Sequence, residues 1–450
     1  MEEGDVMELA ELAVKKTLSL GASEAEAYLK RARTTRVEFA EEIENFKTIE
    51  SIGMTLRVAL GKKTATYSTS ILDKDEIAEV TAKAVKIAKV APEDPHWKHL
   101  NQRFGKAPAE GYYDPKLANL DYQEVVKTLN SAINQMKNYD KRVRPTRGSL
   151  TTSTSNTSIA NSYNETCERE ETNIGIIMST KAEENKMEST GSEYEHARSW
   201  AAIAFEDLAL KAAEKAIKFL SAKPIPSGKI TVIFRNQIFA NILGVILSGP
   251  MNADWVQKGR SPLSDKLGKE IASKNVNLVD DGLIRGGWQT RPFDDEGHQT
   301  QKTPVIKDGI LKSFLYDTYT ALKDNVESTG NAQRPSYWMN PQPSPSNLIL
   351  KPGKTSPEEI IQETRKGIYI EETIGEWLSN PVSGNLNATV THGYLIENGE
   401  LAKPVKGVVI SGSFYEILKD GIAIIGSDLR NSGQNYSPTV KLAQLTIAGK

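Results

Sequence analysis

An order of elements that recurs at a fixed offset constrains this chain more than any single motif. Residues 1–92 read as helix, strands, helix. Met7, Ala10, Val14 and Leu18 fall at helical spacing, and Gly21 supplies a left-handed stop. From residue 24 to 70 the pattern switches to period two, with Met54, Leu56, Val58 and Leu60 alternating against Thr55, Arg57 and Ala59. Asp73 and Glu76 form a capping box ahead of a helix that buries Ile77, Val80, Ala84 and Ile87. Residues 119–222 repeat this order. Asp121 caps a helix with Tyr122, Val126, Leu129, Ile133 and Met136 on one stripe, residues 142–196 are strand-like, and a helix from 205 to 220 ends before Pro224 and Pro226. Ile52-Gly53-Met54 and Ile174-Gly175-Ile176 hold corresponding places, 122 residues apart. The pattern predicts two copies of a helix–four-strand–helix unit; the alternative is two unrelated α+β modules of similar order. Residues 93–118, proline-bearing and without periodicity, read as a linker.

Residues 226–450 are different. Lys229–Phe234 is a compact strand and residues 236–248 an apolar helix, after which hairpin signals dominate. Asp308-Gly309, Asn398-Gly399 and Asp420-Gly421 each sit between apolar alternations and supply the positive φ of a tight turn. One capped helix interrupts, begun by Ser356-Pro-Glu-Glu359 and ended at Gly367. The expected fold class is therefore α+β, two N-terminal units followed by a mainly antiparallel β domain with a few helices.

The chemistry is sparse. A net charge of −2 and an apolar content of 38% suit a soluble globular protein and disfavour a surface built for nucleic acid. The single cysteine, Cys167, excludes an intrachain disulfide and any Cys-rich metal site. Met1–Asp5 is too acidic for the start of a signal peptide, and the longest apolar run, Ile238–Leu247, is about half a membrane span; a cytoplasmic location is expected. No pair of the five histidines has ligand spacing on a helix, and Gly353-Lys354-Thr355 lacks the first glycine of a phosphate loop. Two segments stand out. Asp294-Asp295-Glu296-Gly297-His298 gathers three carboxylates beside an imidazole, which a solvated turn also explains. Ser328–Pro335 is a polar loop that includes Asn331 and Arg334.

Those segments, with Val305–Gly309, Lys351-Pro352-Gly353, Gly393–Glu400 and Pro404–Gly407, resemble the TldD/PmbA family in order and spacing across nearly all of residues 228–450. The resemblance implies proteolysis of unfolded peptides, a link to peptide-antibiotic maturation, and the description "modulator of DNA gyrase". TldD-type members carry a zinc-binding H-E-x-x-x-H on the helix after the first C-terminal strand and a further cysteine. Here the matching positions are Ala240, Asn241 and Val245, and no cysteine follows Cys167. Methyl groups cannot ligate zinc and a neutral amide is a poor base. The resemblance thus implies the PmbA (TldE) branch, without catalytic residues, metal or cofactor, paired with a TldD-like metallopeptidase and forming a homodimer when alone. Asp294, Asp295, Glu296, His298, Asn331 and Arg334 become expected contacts to an extended peptide or to the partner. Two alternatives are a stand-alone hydrolase built around Asp294, Asp295, Glu296 and His298, and a non-enzymatic regulator.

Overall fold

The computed structural model describes residues 6–450, so the acidic start at residues 1–5 lies outside the described residues. The first unit runs α1 (Val6–Ser19), β1 (Glu24–Phe39), β2 (Ile43–Leu60), β3 (Lys63–Thr69) and α2 (Lys74–Val90). After a short turn of helix α3 (Pro115–Ala118), the second runs α4 (Tyr122–Tyr139), β4 (Val143–Asn161), β5 (Thr166–Glu184), β6 (Met187–Ala197) and α5 (Phe205–Lys218). Each unit has three strands rather than the expected four, because runs that read as separate strands continue as single strands of up to 19 residues. The two units share one sheet, ordered β3-β2-β1-β4-β5-β6, in which β1 and β4 pair antiparallel from Glu26↔Asn161 to Phe39↔Gly148.

Strand alternation explains how that sheet is covered. Ala25, Ala27, Leu29, Met54, Leu56 and Val58 face α1 and α2, while Val37, Leu150, Ile174, Ile176 and Met178 face α4 and α5. All four helices therefore lie on one face. Gly21 closes α1 at φ 94°, as its position predicts. Asp73 accepts from the amides of Asp75 and Glu76, and Asp121 from that of Gln123. On α4 the buried stripe uses Val125 in place of Val126, which is exposed along with Tyr122. Ile87 of α2 is likewise exposed, with Ala88 on the inner face instead.

The C-terminal half opens with β7 (Gly228–Phe234) and α6 (Asn236–Leu247). Strands Lys366–Ile374, β7, Val440–Ala448, Val408–Ser413 and Asn385–Glu397 pair in that order, and the last pairs back to the first, closing the sheet on itself. Its interior is a core of Val232, Phe234, Ile368, Ile370, Val390, Ile410 and Leu442 that runs on into α6. Asp308-Gly309 and Asn398-Gly399 have positive φ and form hairpins as expected. Asp420-Gly421 does not: residues 417–421 form a wide helical turn leading into a strand that pairs with Val440–Leu442. The capping box at Ser356 and Glu359 is present, but the helix stops at Gln362 and Gly367 lies inside a strand.

Residues 93–118 are an ordered strap between the halves. Gly105 and Ala107 donate to the carbonyls of Gly297 and Pro292 (3.0 and 2.8 Å), and the Glu110 and Tyr112 carbonyls accept from Gly286 and Thr172 (3.0 Å each). A proline-bearing segment with no apolar period still orders when its backbone groups find partners on both sides.

Within the long sheet, glycine under an aromatic ring sets local register. Phe39 lies over its cross-strand partner Gly148, where a Cβ would overlap the ring. Gly148→Val should destabilise by about 1–3 kcal/mol through overpacking, and Phe39→Ala by about 3–5 kcal/mol through cavity formation. In urea unfolding the double variant should cost less than the two single costs added; strict additivity would show that the pair is not in contact.

Candidate functional site

The acidic segment folds into the junction between the helix-free face of the sheet and the C-terminal half. Asp294, Asp295 and Glu296 are at most 3% exposed. Glu26 on β1 accepts from Arg57 Nε and Nη2 (2.9 and 2.6 Å) and from Arg334 Nη2 (2.6 Å). Arg57 Nη2 also reaches Glu296 Oε1 at 2.8 Å. Asp295 Oδ1 accepts from Arg169 Nη2 (2.6 Å) and Arg291 Nη1 (3.3 Å), and Arg169 continues to Glu171 at 2.9 Å. Asp294 is a turn former: its oxygens accept from the amides of Glu296, His298 and Ala332. Asn331 donates to Asp280 at 2.6 Å and is fully buried. The expected peptide-contacting residues are thus internal groups of an ion lattice, with only His298 partly exposed. Three carboxylates in sequence read as a surface turn because Arg169 and Arg57, which pair with Asp295 and Glu296, lie far away in the chain, while Asp294 is held by backbone amides. The alternative hydrolase centre loses its access for the same reason.

Charge partners set the acidities here. Burial pushes the Glu171 carboxyl up, but Arg169 and Arg198 outweigh it and hold it down at about 2. A second cluster behaves alike: burial opposes ionisation of Glu193, and Arg235 and Lys215 bring it to about 2. Burial raises Asp280 to about 7, and burial with the nearby Glu296 charge raises Asp317 to about 7.

The positions that the resemblance sets against the zinc motif lie on α6. Ala240 is fully buried, Asn241 and Gly244 face a hairpin formed by residues 430–437, and Val245 is partly buried against the core of the C-terminal half. Asn241 Oδ1 accepts from Ser432 Oγ at 2.6 Å, and the Asn435 amide fills the space where a Cβ on Gly244 would stand. That hairpin reaches the N-terminal sheet: Ser432 Oγ lies 3.2 Å from Tyr194 Oη, Asn431 Nδ2 donates to the His196 carbonyl (3.2 Å), and Arg430 pairs with Glu195. Beyond it lies a cavity of about 490 Å³ on the helix-free face. Ser149, Thr151 and Ser153 of β4 form one wall and Asn173, Gly175 and Ile177 of β5 the floor. Tyr194 and His196 of β6 close the far side with Trp288, whose ring meets that of His196 edge-on at 5.0 Å. No Asp, Glu, Lys or Arg lines it, and burial holds the His196 imidazole below its usual value, hence neutral near pH 7. The sequence signal for this cavity was Gly175 itself, the repeat counterpart of Gly53.

With this geometry in place, the comparisons with known proteins define the class: a sheet duplicated from two units, docked on a closed β domain, as in a peptidase family of three-domain chains. Residues 25–88, 115–220 and 227–449 match, in order, domain 1, the central domain and the C-terminal domain of the PmbA/TldA metallopeptidases, and the chain belongs to that family. It is 29% identical to Metalloprotease MJ0996 of Methanocaldococcus jannaschii over 81% of each chain. It is 25% identical to Metalloprotease PmbA of Escherichia coli O157:H7 over 98% of this chain and 92% of that one. The crystal structure of TldE from Thermococcus kodakarensis superposes with a TM-score of 0.89 at 22% identity, covering 98% of this chain and 100% of that one, which bears on the fold.

The family name implies a metal, and the residues on α6 do not fit one. Ala240 and Val245 have no donor atom, Asn241 is committed to Ser432, and Cys167 is packed with Tyr28, Ile159 and Phe293 in a separate cluster. Among the described residues no three His, Cys, Asp or Glu side chains converge as a metal site. Zinc requires imidazole, thiolate or carboxylate donors, so no step can be routed through it at this helix.

Arg57→Met strands Glu296 as a buried charge and leaves Glu26 with Arg334 alone, and should cost about 3–5 kcal/mol in urea unfolding. The wild-type pH profile has two signs. Asp280 and Asp317 hold protons more tightly folded than unfolded, so stability rises as pH falls from about 7 towards 4. Glu171 and Glu193 are depressed, so the stability they confer is lost as pH falls from about 4.5 to about 2. The buried imidazoles of His196 and His392, held below their usual value by burial, oppose the first effect as pH falls. Asp280 is therefore read against Asp280→Asn: the stability of the wild type relative to the variant should rise as pH falls from about 7 towards 4, and a pH-independent difference contradicts the assignment.

Proposed function

We propose that this chain is the non-catalytic, PmbA/TldE-like subunit of a peptidase complex, working with a TldD-like metallopeptidase on extended peptides in the cytoplasm. The observation that carries the reading is the substitution of all three motif positions on α6 by groups that neither bind zinc nor take a proton, within a chain that otherwise keeps the family's three domains. The chain contributes shape: the cavity beside α6 holds part of the peptide while the partner supplies the metal.

The surface favours such pairing. Ile374, Trp377, Leu378 and Val382 are each at least half exposed along one segment next to α6, held in place by Gly375 at φ 89° and by Ser379 bonding the backbone of Asn387. On the adjoining outer wall of the closed sheet, strand register aligns Ile374, Thr389, Val409 and Ala448 in one row and Asn387, Ser411 and Thr446 in the next. The seven residues named in those rows carry no charge, and the first charge in register is Lys229 on β7, opposite Thr446. Charge depletion with protruding aromatic and aliphatic groups is the signature of an interface centre. A TldD-like subunit is the occupant assigned to this face, and a second copy takes it when that subunit is absent. The apolar helix α6 takes no part in this face, because most of its side chains are buried in the chain's own core.

Purified chain mixed with a TldD-like metallopeptidase should co-elute with it as a heterodimer at about 1 µM. Trp377→Asp with Leu378→Asp should weaken pairing at least about 30-fold. Peptide cleavage by the mixture should survive Asn241→Ala here and vanish when the partner's zinc ligands are removed. Cleavage by the isolated chain that is lost in Asn241→Ala would overturn the reading.

A further inference from the structure

The two halves of the sheet treat equivalent glycines differently. Gly53 on β2 and Gly175 on β5 sit 122 residues apart, each on the helix-free face and each opposite a residue of a central strand, Lys30 on β1 and Thr151 on β4. Over Gly53 the protein has placed its own residues 336–340. The Tyr337 ring occupies the space a Cβ would take, the Tyr337 carbonyl accepts from Thr55 Oγ1, and the Trp338 carbonyl and Asn340 side chain accept from Ser68 and Thr66. The loop therefore lies across β2 and β3 as a short segment with one aromatic ring seated on glycine.

Gly175 has no such cover. Only the edge of His196 approaches, with Nδ1 3.1 Å from where a Cβ would stand and Cε1 at 3.6 Å. The chain covers other exposed glycine backbone by the same means, Gly148 under Phe39, Gly249 under Trp255 and Gly297 under Phe104. Glycine in a strand leaves a dent that an aromatic ring fills well. Here the dent opens into the 490 Å³ cavity, walled by hydroxyls and by two aromatic rings, with no ionised group.

We infer that the Gly175 cavity binds an aromatic side chain of a peptide supplied from outside, seated as Tyr337 is seated over Gly53. Tyr194, His196 and Trp288 offer edges and faces to the ring. Thr55 stands on the strand of Gly53 itself and Ser68 and Thr66 on its edge side, whereas the serine and threonine hydroxyls here stand on β4, on the central side of Gly175, and bond the peptide backbone from there. A neutral lining selects against acidic and basic side chains, because burying a charge there leaves it unpaired. The inference rests on the reading of this chain as a peptide-handling subunit, but its test uses the isolated chain.

The probe is a short fluorescein-labelled Ser/Thr/Gly peptide with one central Tyr, compared by fluorescence anisotropy with the same peptide carrying Ala or Glu there. The Tyr peptide should bind at least about 10-fold more tightly than either. Gly175→Leu fills the dent at a residue whose φ is not positive, and Thr151→Phe covers the same glycine from its cross-strand neighbour, as Phe39 covers Gly148. Both variants should abolish the preference while keeping the wild-type circular dichroism; should one fail to fold, the other decides. Equal binding of the three peptides, or a Tyr preference that persists in the folded variant, overturns the inference. Because no partner protein is added, failure to pair with a TldD-like subunit leaves this result standing, and the reverse also holds.

Discussion

The pairing of Glu26, Arg57 and Glu296, extended by Arg334 to one side and by Asp295, Arg169 and Glu171 to the other, fixes how the N-terminal sheet meets the C-terminal half. Charges this deeply buried are tolerated only when each finds a partner at short range. The members come from five stretches of chain, Glu26 on β1, Arg57 on β2, Arg169 and Glu171 on β5, Asp295 with Glu296, and Arg334, so the lattice closes in one relative placement of the two halves. Guanidinium groups also lie over aromatic rings, Arg169 over Phe293 and Arg334 over Tyr28, which ties the charge lattice to the adjacent apolar contacts.

That placement leaves part of the sheet open. At about 3.3 Å per residue the longest strands reach about 60 Å, and the C-terminal half covers only part of the helix-free face. The lattice and the 336–340 loop occupy the covered part; the cavity at Gly175 lies at its border, connected to α6 through Tyr194, Ser432 and Asn241. One duplicated framework thus serves two ends. The first unit uses its glycine to dock the chain's own loop, and the second keeps the matching position free beside the helix that has lost its metal-binding residues.

Legibility in the sequence followed the range of the interactions involved. The N-caps at Asp73 and Asp121, the Ser356–Glu359 capping box, the Gly21 stop and two of the three hairpin turns depend on residues a few positions apart, and they were readable; Glu76 closes no box with Asp73 and accepts from Thr69 Oγ1 instead. The third, Asp420-Gly421, had turn chemistry but no partner strand beside it, and became a helical turn. The strap at residues 93–118 carried no period because its order comes from backbone bonds to distant carbonyls and amides. That Ala240 and Val245 offer no zinc donor and that neutral Asn241 is a poor base follows from residue identity, since donor chemistry belongs to the side chain; that these positions stand against a zinc motif is what the resemblance implies.

The sequence by itself determined the α+β class, the duplicated order of elements and the absence of imidazole, thiolate and carboxylate groups on α6, because each follows from local pattern or from the chemistry of single residues. Tertiary structure decided that Asp294, Asp295 and Glu296 are internal, that two units merge into one sheet, and that Gly175 borders a cavity while Gly53 is covered. Those outcomes turn on arginines, a tyrosine and a partner strand that lie from about a hundred to about three hundred residues away, and pairing at that separation leaves no period for a sequence to display.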